Sequence, residues 1–286
     1  MNSLLSVREL RKSFVSSRGS TPENEERSLA VNGLSFDVSR GETFGIVGES
    51  GCGKTTLARL ILRLIPPDGG GINFCGEDWL AARGRKLRST RRSMQIIFQD
   101  PATSLNPRMK VEDLLAEPLL IHESSKSRAQ RRDSAVQMLR AVGLDETALG
   151  RYPHEFSGGQ KQRLSIARAL ILRPALVVAD EPVASLDVSV GAQILDLLNR
   201  LKREFQLTMI LISHSMPVVA QMADRVAVMR TGKFVEAGPA EQIFGSPQNE
   251  YTKDLLRAAP VLPPFEPLPS DRSRARDWRE NIPGTV

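Results

Sequence analysis

Cysteine is scarce in this chain of 286 residues, with Cys52 and Cys75 the only two. Two thiols cannot build a disulfide framework or a four-cysteine metal site, which excludes small disulfide-stapled scaffolds and zinc ribbons. Long apolar runs are missing as well, and none approaches the roughly 18 residues a membrane-spanning helix needs. The opening MNSLLSVRELRKSF places Arg8 and Glu9 where a secretory signal needs an unbroken apolar core. These absences predict a reduced, soluble, cytoplasmic protein. Glycine and proline, 21 and 18 residues, are too few for a low-complexity chain. What is present, 41% hydrophobic and 25% charged residues, is ordinary globular composition in a chain long enough to bury a sizeable core.

The net charge is +6, which permits anionic partners without demanding them. Much of the excess is local. Arg83, Arg85, Lys86, Arg88, Arg91 and Arg92 fall in one stretch without an acid. Its first reading is a solvated face, and its second a surface for nucleic acid or anionic lipid.

Periodicity then divides the chain. Residues 4–15 and 29–38 alternate as strands do, with a polar loop-like stretch, SSRGSTPENEERS, between them. A short apolar strand, 43–47, runs into a glycine-rich turn and a helix expected over 55–65. Helical spacing recurs over 111–120 and 127–142, with Val136, Leu139 and Val142 on one face, and again over 160–172, which Pro174 must end. ALVVAD suits a strand buried on both faces. A helix at about 190–204, the strand LTMILIS and a helix at about 216–223 follow. Strands alternating with helices predict an α/β fold around a mostly parallel sheet. After Tyr251 a short helix, LLRAA, leads to a tail holding Pro263, Pro264, Pro267 and Pro269 and then Arg272, Arg274, Arg276 and Arg279, which reads as extended.

The turn after the 43–47 strand reads Gly48-Glu49-Ser50-Gly51-Cys52-Gly53-Lys54-Thr55-Thr56 and fits the pattern G-x-x-x-x-G-K-[ST] between a strand and a helix. Successive backbone N–H groups there form an anion nest, and the helix N-terminus adds a favourable dipole. Lys54 is expected to reach the β- and γ-phosphates of a nucleotide, and the Thr55 hydroxyl to ligate Mg²⁺. Asp180 and Glu181 close ALVVAD at its carboxyl end, where open α/β sheets bind ligands. Asp180 is placed to hold the metal through a water, and Glu181 to accept a proton from attacking water. Cys52, among the N–H groups of that turn, has two readings: an ordinary thiol screened by bound nucleotide, or an activated thiol.

Phe156-Ser157-Gly158-Gly159-Gln160-Lys161-Gln162-Arg163 resembles the signature of ABC-type ATPases. The resemblance covers about residues 4–258 and implies a P-loop NTPase: an ABC-type nucleotide-binding domain with a RecA-like parallel-sheet core, an N-terminal antiparallel β region and a helical subdomain at about 100–165. Residues 259–286 would be a Pro/Arg-rich tail. In such proteins Ser157, Gly158, Gly159 and Gln160 would contact ATP held by the opposite protomer. Phe14 would stack on adenine, and Gln99 would sense the metal and the nucleophilic water. Asp187 would signal between protomers, and His214 would contact the γ-phosphate. Two departures stand out: Ala184-Ser185-Leu186-Asp187 where the family often reads Ser-Ala-Leu-Asp, and Ser215 where Asp often follows the histidine.

Within that family, the segment from Phe98 to Met109 and the phrase SPQNEYTKDLLRAAP are similar to ATPases of oligopeptide, dipeptide and nickel importers. Asn249-Glu250 replaces the usual His-Pro. No cysteine follows this phrase, so no iron–sulfur site is expected. The implied function is ATP binding and hydrolysis driving peptide import at the cytoplasmic face of a prokaryotic inner membrane. Implied partners are a second ATPase in a heterodimer or homodimer, two permease subunits and, indirectly, a solute-binding receptor; no nucleic-acid partner is expected. Two alternatives share the ATP site: the ABC-type ATPase of a non-transport complex such as phosphonate degradation, and a nucleic-acid or ribosome-associated ABC protein. The solute itself is not legible, with peptides the default over nickel or short glycopeptides.

Overall fold

The computed structural model describes residues 3–15 and 27–259. The expected loop over SSRGSTPENEERS and the extended tail therefore fall largely outside the described residues. In chain order the elements are Ser3–Val15 (β1), Arg27–Ser39 (β2), Thr43–Val47 (β3), Lys54–Ile61 (α1), Gly69–Phe74 (β4), Glu77–Asp78 (β5), Gly84–Ser93 (α2) and Met94–Ile97 (β6). Then come Pro101–Ser104 (α3), Val111–His122 (α4), Arg128–Ala141 (α5), Gly158–Leu170 (α6), Leu176–Asp180 (β7), Val188–Phe205 (α7) and Thr208–Ser213 (β8). Met216–Met222 (α8), Arg225–Arg230 (β9), Lys233–Pro239 (β10), Ala240–Gly245 (α9) and Glu250–Ala258 (α10) complete the described chain.

Two sheets result: a four-stranded antiparallel one in the order β2-β1-β4-β5, and a six-stranded one in the order β10-β9-β3-β8-β7-β6. In the second, β6, β7, β8, β3 and β9 run parallel, and only β10 is antiparallel. Its central strands β3, β7 and β8 are buried along their whole length because both faces are covered. Period-two alternation sends Val177, Ala179, Met209 and Leu211 to a core beneath the helices. The same alternation sends Leu176, Val178, Ile210 and Ile212 to a second core shared with α1 and the antiparallel sheet. Phe36 of one sheet stacks on Phe44 of the other with centroids 5.2 Å apart. At Gly45 a Cβ would lie 2.5 Å from Val219 Cγ1, so a bare backbone lets α8 lie on the sheet.

The alternation in β1 breaks at Glu9, at one of several register shifts against β2. Leu5 and Val7 are buried, Arg8 and Glu9 exposed, and Leu10 buried again. Glu9 has φ 46 and marks a register shift, so one extra residue returns Leu10 to the core.

Several boundaries differ from the sequence reading. α1 stops at Ile61 because Arg63 turns left-handed (φ 53) and two backbone bonds close the end, Leu64 N to Arg59 O (2.8 Å) and Arg63 N to Leu60 O (3.0 Å). α10 begins before Tyr251, at Glu250, since the Asn249 side chain caps it by accepting from Tyr251 N at 3.0 Å. The buried face of α5 is Ala135, Met138 and Leu139 with Val142 beyond it, leaving Val136 at the margin. The basic stretch is the helix α2, which buries no residue. Among the described residues no helix is long and apolar enough to cross a membrane.

Candidate functional site

Parallel pairing decides the site. Val47 lies beside Ser213, Asp180 beside Ile212, and Ile97 beside Ala179, so four strands end at one edge. Past those ends lie the glycine-rich turn, Asp180-Glu181, His214 and Gln99. A chain that separates these groups by up to 166 positions thus delivers them to one place.

The turn needs its glycines. A Cβ at Gly48 would sit 2.1 Å from the Met229 carbonyl oxygen, and one at Gly53, with φ +111, would sit 2.0 Å from the Ala30 carbonyl oxygen. The Lys54 side chain is buried and folds back, donating to Gly48 O (2.7 Å) and Glu49 O (2.8 Å).

Beside the turn, the Thr55 hydroxyl lies 3.4 Å from Asp180 Oδ1. Asp180 is buried, and desolvation raises its pKa above the ordinary aspartate value. A buried carboxylate next to a threonine hydroxyl is a hard-oxygen donor set that suits Mg²⁺, which takes one or two carboxylates and otherwise waters and substrate phosphates. No cluster of three or more His, Cys, Asp or Glu occurs among the described residues, and a site completed by phosphate requires none.

Glu181 has φ 49, a left-handed backbone that turns its carboxylate out of the strand line. Its Oε2 accepts from Gln99 Nε2 at 3.2 Å and faces His214 Nδ1 at 3.1 Å. Glu181 N donates to Ile212 O at 2.8 Å, fixing this turn to β8. The structure therefore brings Lys54, Thr55, Asp180, Glu181, Gln99 and His214 to one edge. Phe14 stands on β1, 46% exposed, with Lys12 Nζ 5.7 Å from its ring centroid.

Ser157–Gln160 are placed differently. Ser157 caps α6, accepting from Gln160 N at 3.3 Å while Gln160 Oε1 accepts from Ser157 N at 3.0 Å. No hydrogen bond joins them to the glycine-rich turn of their own chain. They pack instead on the segment around Asp187: a Cβ at Gly158 would lie 3.5 Å from Leu186 Cδ2, and one at Gly159 2.5 Å from Val190 Cγ1. Val188, next to Asp187, is 92% exposed although apolar.

Two residues escaped the sequence reading. Ser185, one of the departures noted above, donates its hydroxyl to Gln99 O at 3.3 Å. Gln162 is fully buried and donates to Pro182 O at 2.7 Å, tying α6 to the turn after Glu181. Both signals were present as polar residues inside motifs, but their partners are remote in sequence. Of the two readings of Cys52, the activated thiol is overturned. Cys52 is buried, and desolvation raises its thiol pKa despite the Lys54 ammonium 3.8 Å away, so it is not an activated thiol.

The sequence matches the family model for ABC transporters over residues 31–184. The chain belongs to the ABC transporter family, and its site is that of an ATP-binding, ATP-hydrolysing cassette. Among its relatives is the oligopeptide transport ATP-binding protein OppF of Bacillus subtilis, 45% identical over 91% of this chain and 84% of the relative. Another is the di/tripeptide transport ATP-binding protein DppF of Pseudomonas aeruginosa, 43% identical over 95% of this chain and 84% of that one. A solved ATP-binding cassette, dimeric and in a post-hydrolysis state with ADP and phosphate, is similar with a TM-score of 0.73 and 26% identity, covering 82% of this chain and 98% of its own.

Proposed function

We propose that this chain is the ATP-hydrolysing subunit of a peptide importer, coupling ATP-driven closure of a dimer to solute uptake through separate permease subunits. The observation that carries this reading is likeness along nearly the whole chain to ATP-binding proteins named for oligopeptide and di/tripeptide transport. That likeness favours transport over the phosphonate-degradation and nucleic-acid alternatives.

In this reading ATP binds between Phe14 and the turn Gly48–Thr56. Lys54 releases the Gly48 and Glu49 carbonyls and turns to the β- and γ-phosphates. Mg²⁺, held by Thr55, Gln99 and, through water, Asp180, would neutralise charge on the phosphate oxygens. Glu181 exchanges its bond to Gln99 for one to the attacking water and takes the water's proton, while His214 holds the γ-phosphate. Positioning and charge stabilisation supply most of the rate. The partner's equivalents of Ser157–Gln160 close on the γ-phosphate, and Asp187 with Val188 lies in that interface. Release of phosphate lets the halves part.

The partner is a second, related ATPase, and both sit on the cytoplasmic face of a prokaryotic cell membrane. The permease docks beside Gln99, where Phe98 is exposed, and along α4, where Leu120 and Ile121 are exposed beside α2. Affinity purification of the full chain from its host in mild detergent tests the assembly. Two polytopic membrane proteins and a second ATPase are expected; a soluble assembly without membrane subunits overturns transport and leaves the ATP site standing.

A further inference from the structure

We propose that Tyr251 is a positioning residue for the phosphate loop, through which the C-terminal helix α10 holds the Glu49 peptide in its nucleotide-receiving geometry. This rests on the ATP reading of the loop. Tyr251 Oη accepts from Glu49 N at 3.4 Å, joining residues 202 positions apart. Tyr251 is only 8% exposed, and the Arg230 guanidinium lies 4.6 Å from its ring centroid.

The helix start that carries the ring is itself tied down. Glu236 on β10 accepts from Gln248 N (2.7 Å) and Asn249 N (3.2 Å), Asn249 caps α10, and Thr252 is fully buried. The hydroxyl thus ends a rigid arm from the β9–β10 hairpin to the loop.

Lys54 makes this contact matter. Glu49 is held at both of its backbone polar groups, its carbonyl accepting from Lys54 and its N–H donating to Tyr251. When Lys54 turns to phosphate it abandons the carbonyl, and the Tyr251 hydroxyl becomes the side-chain anchor that remains. Losing it leaves a half-buried N–H without its partner and a looser loop when order is needed.

The test compares the wild-type full chain with Tyr251→Phe, which keeps the ring, its packing and the Arg230 contact. A neutral hydrogen bond of this length predicts ATP binding and KM weakened about three- to tenfold, with kcat changed less than about twofold. Hydrogen exchange supplies the second readout: Mg-ATP should slow exchange in residues 249–258 of the wild type and not of Tyr251→Phe. Asn249→Ala, which loosens the start of the arm, should move both readouts the same way. Tyr251→Phe with wild-type ATP affinity, or α10 exchange indifferent to nucleotide in the wild type, overturns the inference. A wild-type chain that fails to bind ATP overturns the reading of the site as well.

Discussion

At Glu181 a left-handed backbone (φ 49) and two side-chain partners, Gln99 and His214, hold one carboxylate at the end of β7. Glu181→Gln keeps the shape and removes the proposed base. ATP binding should persist while steady-state turnover falls about 10²- to 10⁴-fold; near-normal turnover would show that another group takes the proton. Asp68 acts on β1 at Lys12 and Ser13, the latter next to Phe14 in sequence. Its carboxylate accepts from Lys12 Nζ (2.7 Å), Ser13 N (2.7 Å) and Ser13 Oγ (2.8 Å), and these bonds hold its pKa down to about 2 against the ordinary 3.8. A carboxyl depressed in the folded state stabilises above its unfolded pKa, and that stability is lost as pH falls through the folded value. Asp68→Asn should therefore melt below the wild type at neutral pH, and the two melting curves should converge as pH is lowered from about 4 toward 2. A gap independent of pH would mean that the charge is not what the site uses.

Among the elements, the start of α6 carries two demands that substitution can separate. Gly159 lets α6 lie against α7, because a Cβ there would come 2.5 Å from Val190 Cγ1. Gly159→Ala should cost about 1–3 kcal/mol by overpacking, and adding Val190→Ala should return most of it in chemical denaturation. Turnover should stay low in the double variant if Gly159 also meets the partner's nucleotide. Recovery of both together would reduce Gly159 to a packing residue. α2 offers a contrast: Lys86 pairs with Glu77 and Arg92 with Glu123, so part of its positive charge is spent within the fold.

For the whole molecule the proposed mechanism turns on closure of two copies or two relatives over ATP. The 92% exposed Val188 beside Asp187, and a signature turn that makes no hydrogen bond to its own phosphate loop, leave a face that a second protomer would complete. Glu181→Gln with Mg-ATP should elute from size exclusion at dimer size, alone or with the second ATPase, and revert when Mg²⁺ is chelated. An elution volume unchanged by nucleotide would remove the shared-interface mechanism.

Local chemistry was legible from residues alone. The phosphate turn declares itself because only glycine tolerates a carbonyl 2.0 Å from where a Cβ would stand, as at Gly53. ALVVAD and LTMILIS read as strands buried on both faces because a strand covered on both sides has no solvent face to alternate with. Other features followed neither from apolar period nor from motif spacing. Arg63 ends α1 early through a left-handed turn that no apolar period forecasts, and Cys52 is not activated because burial outweighs the nearby ammonium. The bonds of Ser185 to Gln99, Gln162 to Pro182 and Tyr251 to Glu49 join residues 86, 20 and 202 positions apart. The sequence by itself determined which groups could bind and cleave a nucleotide, since that follows from side-chain type and short spacing. Only the tertiary structure decided which of them meet, because parallel pairing of β6, β7, β8 and β3 sets their carboxyl ends side by side.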